Sequence, residues 1–252
     1  MDSNLELNNF GKSIKRDNLD QVILFQFEYF EAATQQSVDD LKRDYDEAKK
    51  KYDVESSKIP HHINESNYDE MTEEEWNKID IIGDYYQEMD FSKEYLQSLL
   101  EMRIVYMFKN IEIIMKNLIQ IAYPNVNTKE FYNWEAMKSF FKSKNIDISS
   151  LEGYNDCVDT KKLNNSIKHS DTYNESIYKI PEISEKEELL HIRLEKFYNR
   201  IKPNVEKFCK ELKNTIKEDL YIFSDDRIKN IAKDFKNRMD KKTLEKFIQK
   251  LN

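Results

Sequence analysis

Residues 164–169, Asn-Asn-Ser-Ile-Lys-His, set two amides, a cation and an imidazole on about two helical turns. Imidazole is the side chain best suited to carry protons near neutral pH. His169 is one of only four histidines among 252 residues. Lys168 and Lys162 add positive charge nearby, and Asn164 and Asn165 offer amide donors and acceptors for orientation. Such a set makes this the one place in the sequence where proton-transfer chemistry is plausible. The plainer reading is that a helical histidine beside a lysine is a surface residue. Asn164 and Asn165 could likewise only hydrogen-bond helix ends.

The elements that must position these residues are helices. Three glycines and four prolines leave little turn chemistry for a sheet protein. Charged residues make up 35% of the chain and hydrophobic residues 39%, the balance of long amphipathic helices. Fifteen Tyr and fourteen Phe supply core material. An all-α fold is therefore expected. Residues 1–17 read as a loose or short-helical arm. One long helix is expected from Asp17 or Asn18, both good caps, to about Lys58. Its second half carries a thin stripe of Leu41, Tyr45, Ala48 and Tyr52 and reads as one arm of a helical hairpin. Residues 60–71 read as a polar loop. Thr72-Glu73-Glu74-Glu75 reads as a capping box, and Gly83 as an interruption of the helix it starts.

Residues 101–123 are apolar nearly all round, which marks a buried central helix ended by Pro124-Asn125. A shorter helix is expected over 128–144 and a linker over 147–153. The segment bearing the chemistry, 155–169, reads as helix, 170–183 as loop, and 184–216 as a long helix that Pro203 could kink. Ser224-Asp225-Asp226 can cap a small terminal unit ending at Leu251. Three parts follow: a hairpin over 1–84, a bundle over 85–217 and a basic tail over 218–252.

Two cysteines, Cys157 and Cys209, make neither a disulfide framework nor a zinc pattern. The polar, acidic N-terminus reads as no signal peptide, and no segment approaches the roughly 18–20 apolar residues of a membrane span. A cytoplasmic chain that does not engage a membrane is expected. The net charge of −8 argues against a general nucleic-acid coat. It is uneven: residues 38–80 hold 14 acids and 7 bases, residues 227–250 hold 9 bases and 3 acids.

Two features make the chain resemble the HEPN-domain family. One is the helix Arg103–Leu118, RIVYMFKNIEIIMKNL, with an early basic residue and an acid nine positions on, Glu112. The other is the Asn-Asn-x-x-Lys-His segment followed by a polar loop and a long closing helix. The likeness spans roughly residues 85–215. It implies a HEPN-like helical bundle, usually dimeric, many members of which are metal-independent ribonucleases. The family's signature is an arginine, four to six residues, then a histidine. Here the four-residue spacing falls on Asn164, and Lys162 stands with six residues between it and His169. The resemblance thus implies a catalytic set of His169, Lys168, Asn164, Asn165, Glu112 and Lys162, with Lys161 and Arg103 contacting RNA. Glu112 would orient His169 from the core helix, or pair with Lys109 or Lys116 at helical spacing. Arg103 reads more readily as a structural ion-pair partner than as a catalyst. In a homodimer the two His169 segments would meet across a cleft lined by paired cations.

No metal or cofactor is expected. His61-His62, near Glu65 and Asp69, reads as a solvated loop, and His191, among Leu189, Leu190 and Ile192, reads as packing. No glycine-rich phosphate loop supports nucleotide hydrolysis. The resemblance implies an RNA substrate, a toxin or anti-phage defence role and an antitoxin or defence-system partner. The rival expectation is a catalytically inactive HEPN-like module that recruits RNA or protein through its hairpin or tail. A coiled-coil arm over 18–58 ranks last, because its stripe is sparse after Ser37.

Overall fold

The computed structural model describes residues 11, 13–14, 16–22, 26–59, 71–123, 125–169, 177–185 and 187–251. All regular structure among them is helical. The helices are α1 (Gln26–Ser56), α2 (Glu73–Ala122), α3 (Trp134–Ser143), α4 (Tyr154–His169), α5 (Pro181–Ser184), α6 (Leu190–Tyr221), α7 (Asp225–Arg238) and α8 (Lys241–Leu251).

The central element is α2, 50 residues long and so about 75 Å from end to end. It starts as its sequence predicts. Thr72 Oγ1 accepts from the Glu75 amide at 3.3 Å, and the Glu75 carboxylate accepts from the Thr72 amide at 2.9 Å. Three glutamates in the first turn complement the positive end of the helix dipole. Gly83 does not interrupt it, contrary to expectation. One glycine costs a helix only about 1 kcal/mol relative to alanine, too little to break so long a run. The boundary expected between residues 84 and 85 accordingly falls inside one continuous helix. The second half of α2 is the core, with Ile104, Ile111, Met115, Leu118 and Ile119 all at 0% exposure. The helix closes at Tyr123, whose amide donates to the Ile119 carbonyl at 2.8 Å.

The closing helix α6 packs on α2 through Leu194, Phe197, Ile201, Val205, Phe208, Leu212 and Ile216, a buried row at three- and four-residue spacing. It begins at Leu190 rather than Ser184, and Pro203 lies inside it. The proline is exposed, and Asn204 Nδ2 donates to the Arg200 carbonyl at 3.2 Å. That bond occupies one of the backbone acceptors a helical proline disturbs. The shorter helix α3 starts at Trp134 rather than 128, capped by Asn133, which accepts from the Ala136 amide at 2.8 Å. Trp134 lies between Phe108 and Phe208, at centroid distances of 6.1 and 6.3 Å.

Two further expectations are corrected. The single helix from residue 17 to 58 is broken at a turn over residues 21–22, which brings both Leu19 and Val22 into the core. The expected loop 170–183 contains a packed anchor. Ile177, Ile180 and Ile183 are at 0% exposure on a 3-10 turn (Ile177–Lys179) and α5, with Pro181 at the first position of α5. The small terminal helical unit stands where the sequence sets it: Ser224 caps α7, accepting from the Arg227 amide at 3.2 Å, and α8 ends at Leu251. The polar loop expected over 60–71, with His61-His62, and the first part of the one expected over 170–183 fall on residues 60–70 and 170–176, which lie outside the described residues.

The hairpin expected at the N-terminus is present. Helix α1 runs antiparallel to α2, with Phe30 stacked on Tyr106 at 4.6 Å near one end and Tyr52 against Tyr86 at 6.1 Å near the other. It also engages α6 through ion pairs Lys42–Glu195 and Lys202–Glu31.

Candidate functional site

Helix α4 has two faces. Cys157, Thr160, Leu163 and Asn164 are buried against α2 and α6. Lys161, Lys162, Asn165, Lys168 and His169 share the other side at three- and four-residue spacing. Asn165, Lys168 and His169 are exposed. The last two occupy the final turn, where the negative helix end favours cations. The sequence thus places Asn165, Lys168 and His169 on one exposed face.

The remaining expected residues are placed differently. Asn164 points inward at 2% exposure and donates to Asn165 Oδ1 at 3.1 Å, while its own Oδ1 is buried and has no described partner. It can position α4 but does not face the exposed row. Lys161 pairs with Glu135 at 2.8 Å and lies 6.0 Å from the Trp134 ring centre. Lys162 pairs with Asp159 at 3.1 Å. Glu112 is half-buried on α2, and among the described residues no hydrogen bond or ion pair joins it to His169 or to another side chain. It is not the inward acid that the resemblance implies.

Arg103 is turned away from any RNA surface. It is 5% exposed and donates to Thr34 Oγ1 at 2.9 Å, Gln35 Oε1 at 3.1 Å and the Glu31 carbonyl at 3.4 Å. The Tyr198 ring centre lies 5.8 Å away. None of these described partners is a carboxylate, so the expected ion pair is a set of neutral acceptors and an aromatic face. The residue clamps α1 to α2 and α6.

The sequence reading missed what holds α4 in place. Arg200 of α6 pairs with Asp156 of α4, with Glu182 of α5 at 2.6 Å and with Asp159 of α4 at 3.5 Å. The only signal in the sequence was Asp156 and Asp159 on one helix face. Their partner lies some forty residues on, and nothing local names it. The turn before α4 was also unforeseen. Gly153 has φ +81°, and a Cβ there would sit 2.0 Å from the Asn204 carbonyl oxygen. Only glycine lets this turn meet the α6 backbone so closely.

Beyond Ile167, a hollow of about 390 Å³ opens between α1, α2 and α4. Phe30, Met102, Val105 and Tyr106 line it, and Lys109 stands at its edge, 5.7 Å from the Tyr106 ring centre. His191 is the packing residue that the sequence suggests, 5% exposed and edge-on to Tyr45 at 5.5 Å.

Among the described residues no helix is long and apolar enough to cross a membrane. Comparison with protein-family models, curated proteins and solved structures finds no match to this chain.

Proposed function

We propose that the chain is a HEPN-like, metal-independent endoribonuclease that cleaves single-stranded RNA at the exposed end of α4, in a bacterial toxin or anti-phage defence role. The observation that supports it most is the alignment of Asn165, Lys168 and His169 at i, i+3 and i+4 on one exposed face. His169 takes the 2′-hydroxyl proton. The 2′-oxygen attacks the adjacent phosphorus, the bond to the 5′-oxygen breaks, and a 2′,3′-cyclic phosphate remains. Lys168 stabilises the charge that grows on the phosphoryl oxygens. Asn165 hydrogen-bonds the strand, and water protonates the departing 5′-oxygen. Splayed bases of a single strand suit such an open face.

A second reading rests on a different observation. The four-residue spacing falls on Asn164, and Lys161 and Lys162 are engaged by Glu135 and Asp159, so the cations nearest the family's arginine position are already paired. A catalytically inactive module that binds RNA or recruits a protein partner fits that pattern. One experiment separates the two. Wild type, His169→Ala and Lys168→Ala are incubated with total RNA or tRNA in EDTA, and binding of a fluorescent single strand is measured in parallel. The ribonuclease reading expects cleavage by wild type, a loss on the order of 100-fold or more in His169→Ala, and retained binding by that variant. Equal cleavage by wild type and His169→Ala removes it. Binding without cleavage by any of the three favours the inactive module.

A further inference from the structure

The hollow between α1, α2 and α4 has two chemically different ends. At one end Lys109 is exposed, with its Nζ 5.7 Å from the Tyr106 ring centre, and among the described residues no carboxylate pairs with it. At the other the Glu101 carboxylate accepts from Gln97 Nε2 at 3.1 Å. Both residues line the hollow. They stand eight positions apart on α2, so about 12 Å along its axis. Between them the wall is apolar: Met102 and Val105 of α2, Ile167 of α4, and the stacked rings of Phe30 and Tyr106, 4.6 Å apart. The volume of about 390 Å³ lies within the range of small-molecule sites, roughly 300–1,000 Å³.

We propose that this hollow binds one guanine nucleotide, with the base against the apolar wall, its Watson–Crick edge at Glu101 and its phosphate at Lys109. The two ends and the wall set three demands. The ligand must be flat and apolar in the middle, donate hydrogen bonds at one end and carry an anion at the other. A nucleotide meets all three, and its length from base edge to phosphate suits the separation of Glu101 and Lys109. An acyl chain offers no donor at the Glu101 end. Inorganic phosphate leaves the apolar wall unused. Guanine follows from the geometry of a carboxylate. Its N1–H and N2–H lie side by side and match the two carboxylate oxygens, a bidentate, charge-assisted pair. Adenine and cytosine set a ring acceptor beside their amino donor, and uracil flanks its one N–H with two carbonyl oxygens. Each would turn a lone pair toward Glu101. A carboxylate has about four acceptor sites, so the Gln97 bond can orient Glu101 while a base donates to it as well.

Free guanosine monophosphate (GMP) and one guanosine of an RNA strand present the same chemistry. Ile167 belongs to α4 and borders the hollow, so a strand seated there lies beside the turn that bears Lys168 and His169. The site does not rest on RNA cleavage. A nucleotide binds here whether or not α4 cuts a strand, and the two readings stand or fall separately.

The test is a ligand-observed NMR titration of the full chain in EDTA, with the four nucleoside monophosphates and guanosine at millimolar concentration. GMP should bind, and the adenine, cytosine and uracil nucleotides at least about tenfold more weakly. Lys109→Gln should weaken GMP about tenfold or more and leave guanosine unchanged, because the nucleoside carries no phosphate. Glu101→Gln should erase the preference for GMP over the adenine nucleotide, since an amide offers a donor beside its acceptor. Neither side chain is buried, so the circular dichroism of both variants should match wild type. A 2′-O-methyl uridine hexamer with one central guanosine, which resists cleavage, separates the two sources. Its competition with GMP, absent for the all-uridine hexamer, assigns the site to a strand. GMP binding that both hexamers leave untouched assigns it to the free nucleotide. No saturable binding of GMP, four nucleotides bound alike by wild type, or GMP binding indifferent to both substitutions would overturn the proposal.

Discussion

Two glycines should respond to the same substitution with opposite signs. Gly153 has φ +81°, where an L-residue costs roughly 1–2 kcal/mol. Its new methyl would lie 2.0 Å from a backbone oxygen and 2.8 Å from the attached carbon, both of Asn204. Neither atom belongs to a flexible side chain. Relief needs the turn and α6 to separate by about 1 Å, and overpacking of that kind costs roughly 1–3 kcal/mol. Gly153→Ala should thus destabilise by about 2–5 kcal/mol. Gly83 lies inside α2 with nothing within 4 Å of its would-be Cβ, so Gly83→Ala should stabilise by about 1 kcal/mol. Urea titration followed by circular dichroism reads both. The midpoint should fall for Gly153→Ala and rise for Gly83→Ala. Because Gly153 sits just before α4, its variant should also lose whatever activity the exposed end of α4 carries. Equal midpoints for Gly153→Ala and wild type would refute the close approach and, with it, the account of how α4 is anchored.

Other outcomes follow from the same packing. Burial holds the His191 imidazole below its ordinary 6.5, and its Nδ1 has no described partner. Its folded pKa lies below the unfolded one, so the unfolded state binds more protons between the two values, and stability should fall as pH drops from about 6.5 toward the folded pKa. His191→Gln should flatten that slope in melting curves between pH 7.5 and 6. Arg200→Met leaves Asp156 and Glu182 without their cation. Because Arg200 is about one-third exposed, the cost should be roughly 1–3 kcal/mol, below that of a fully buried pair, with faster amide exchange over 177–184. Arg103→Ala should cost about 2–4 kcal/mol, since it removes charged hydrogen bonds and side-chain packing together. Limited proteolysis should then cut within α1 first. Undiminished protection of α1 in that variant would contradict the clamp.

How much was legible depends on how local each signal is. The Thr72 capping box, the apolar circumference of residues 101–122 and the helix 154–169 were readable because caps and periodicity act within a few residues. The packed turns at 177–184 were not. Three isoleucines at three-residue spacing beside a proline resemble a loop until a neighbouring surface receives them. Residues 17–22 failed for a related reason, because a helix pattern continued on paper where the core drew Leu19 and Val22 in through a turn. At the candidate site the sequence picked out Asn165, Lys168 and His169, whose helical spacing alone puts them together. It read Arg103 as structural without being able to name its partners, and it set Glu112 beside His169, because the orientation of both depends on which helices stand beside α2.

The sequence by itself determined that this chain is helical, where its main helix begins, and which residues of α4 share a side. Each follows from backbone hydrogen bonding and side-chain period along one continuous segment. The tertiary structure alone decided that Arg103 serves as a clamp, that Arg200 gathers carboxylates from two other helices, and that Phe91, Tyr95 and Met102 are exposed. Those outcomes depend on pairings between residues tens of positions apart. Packing selects them only after the helices have formed, and no local pattern encodes the choice.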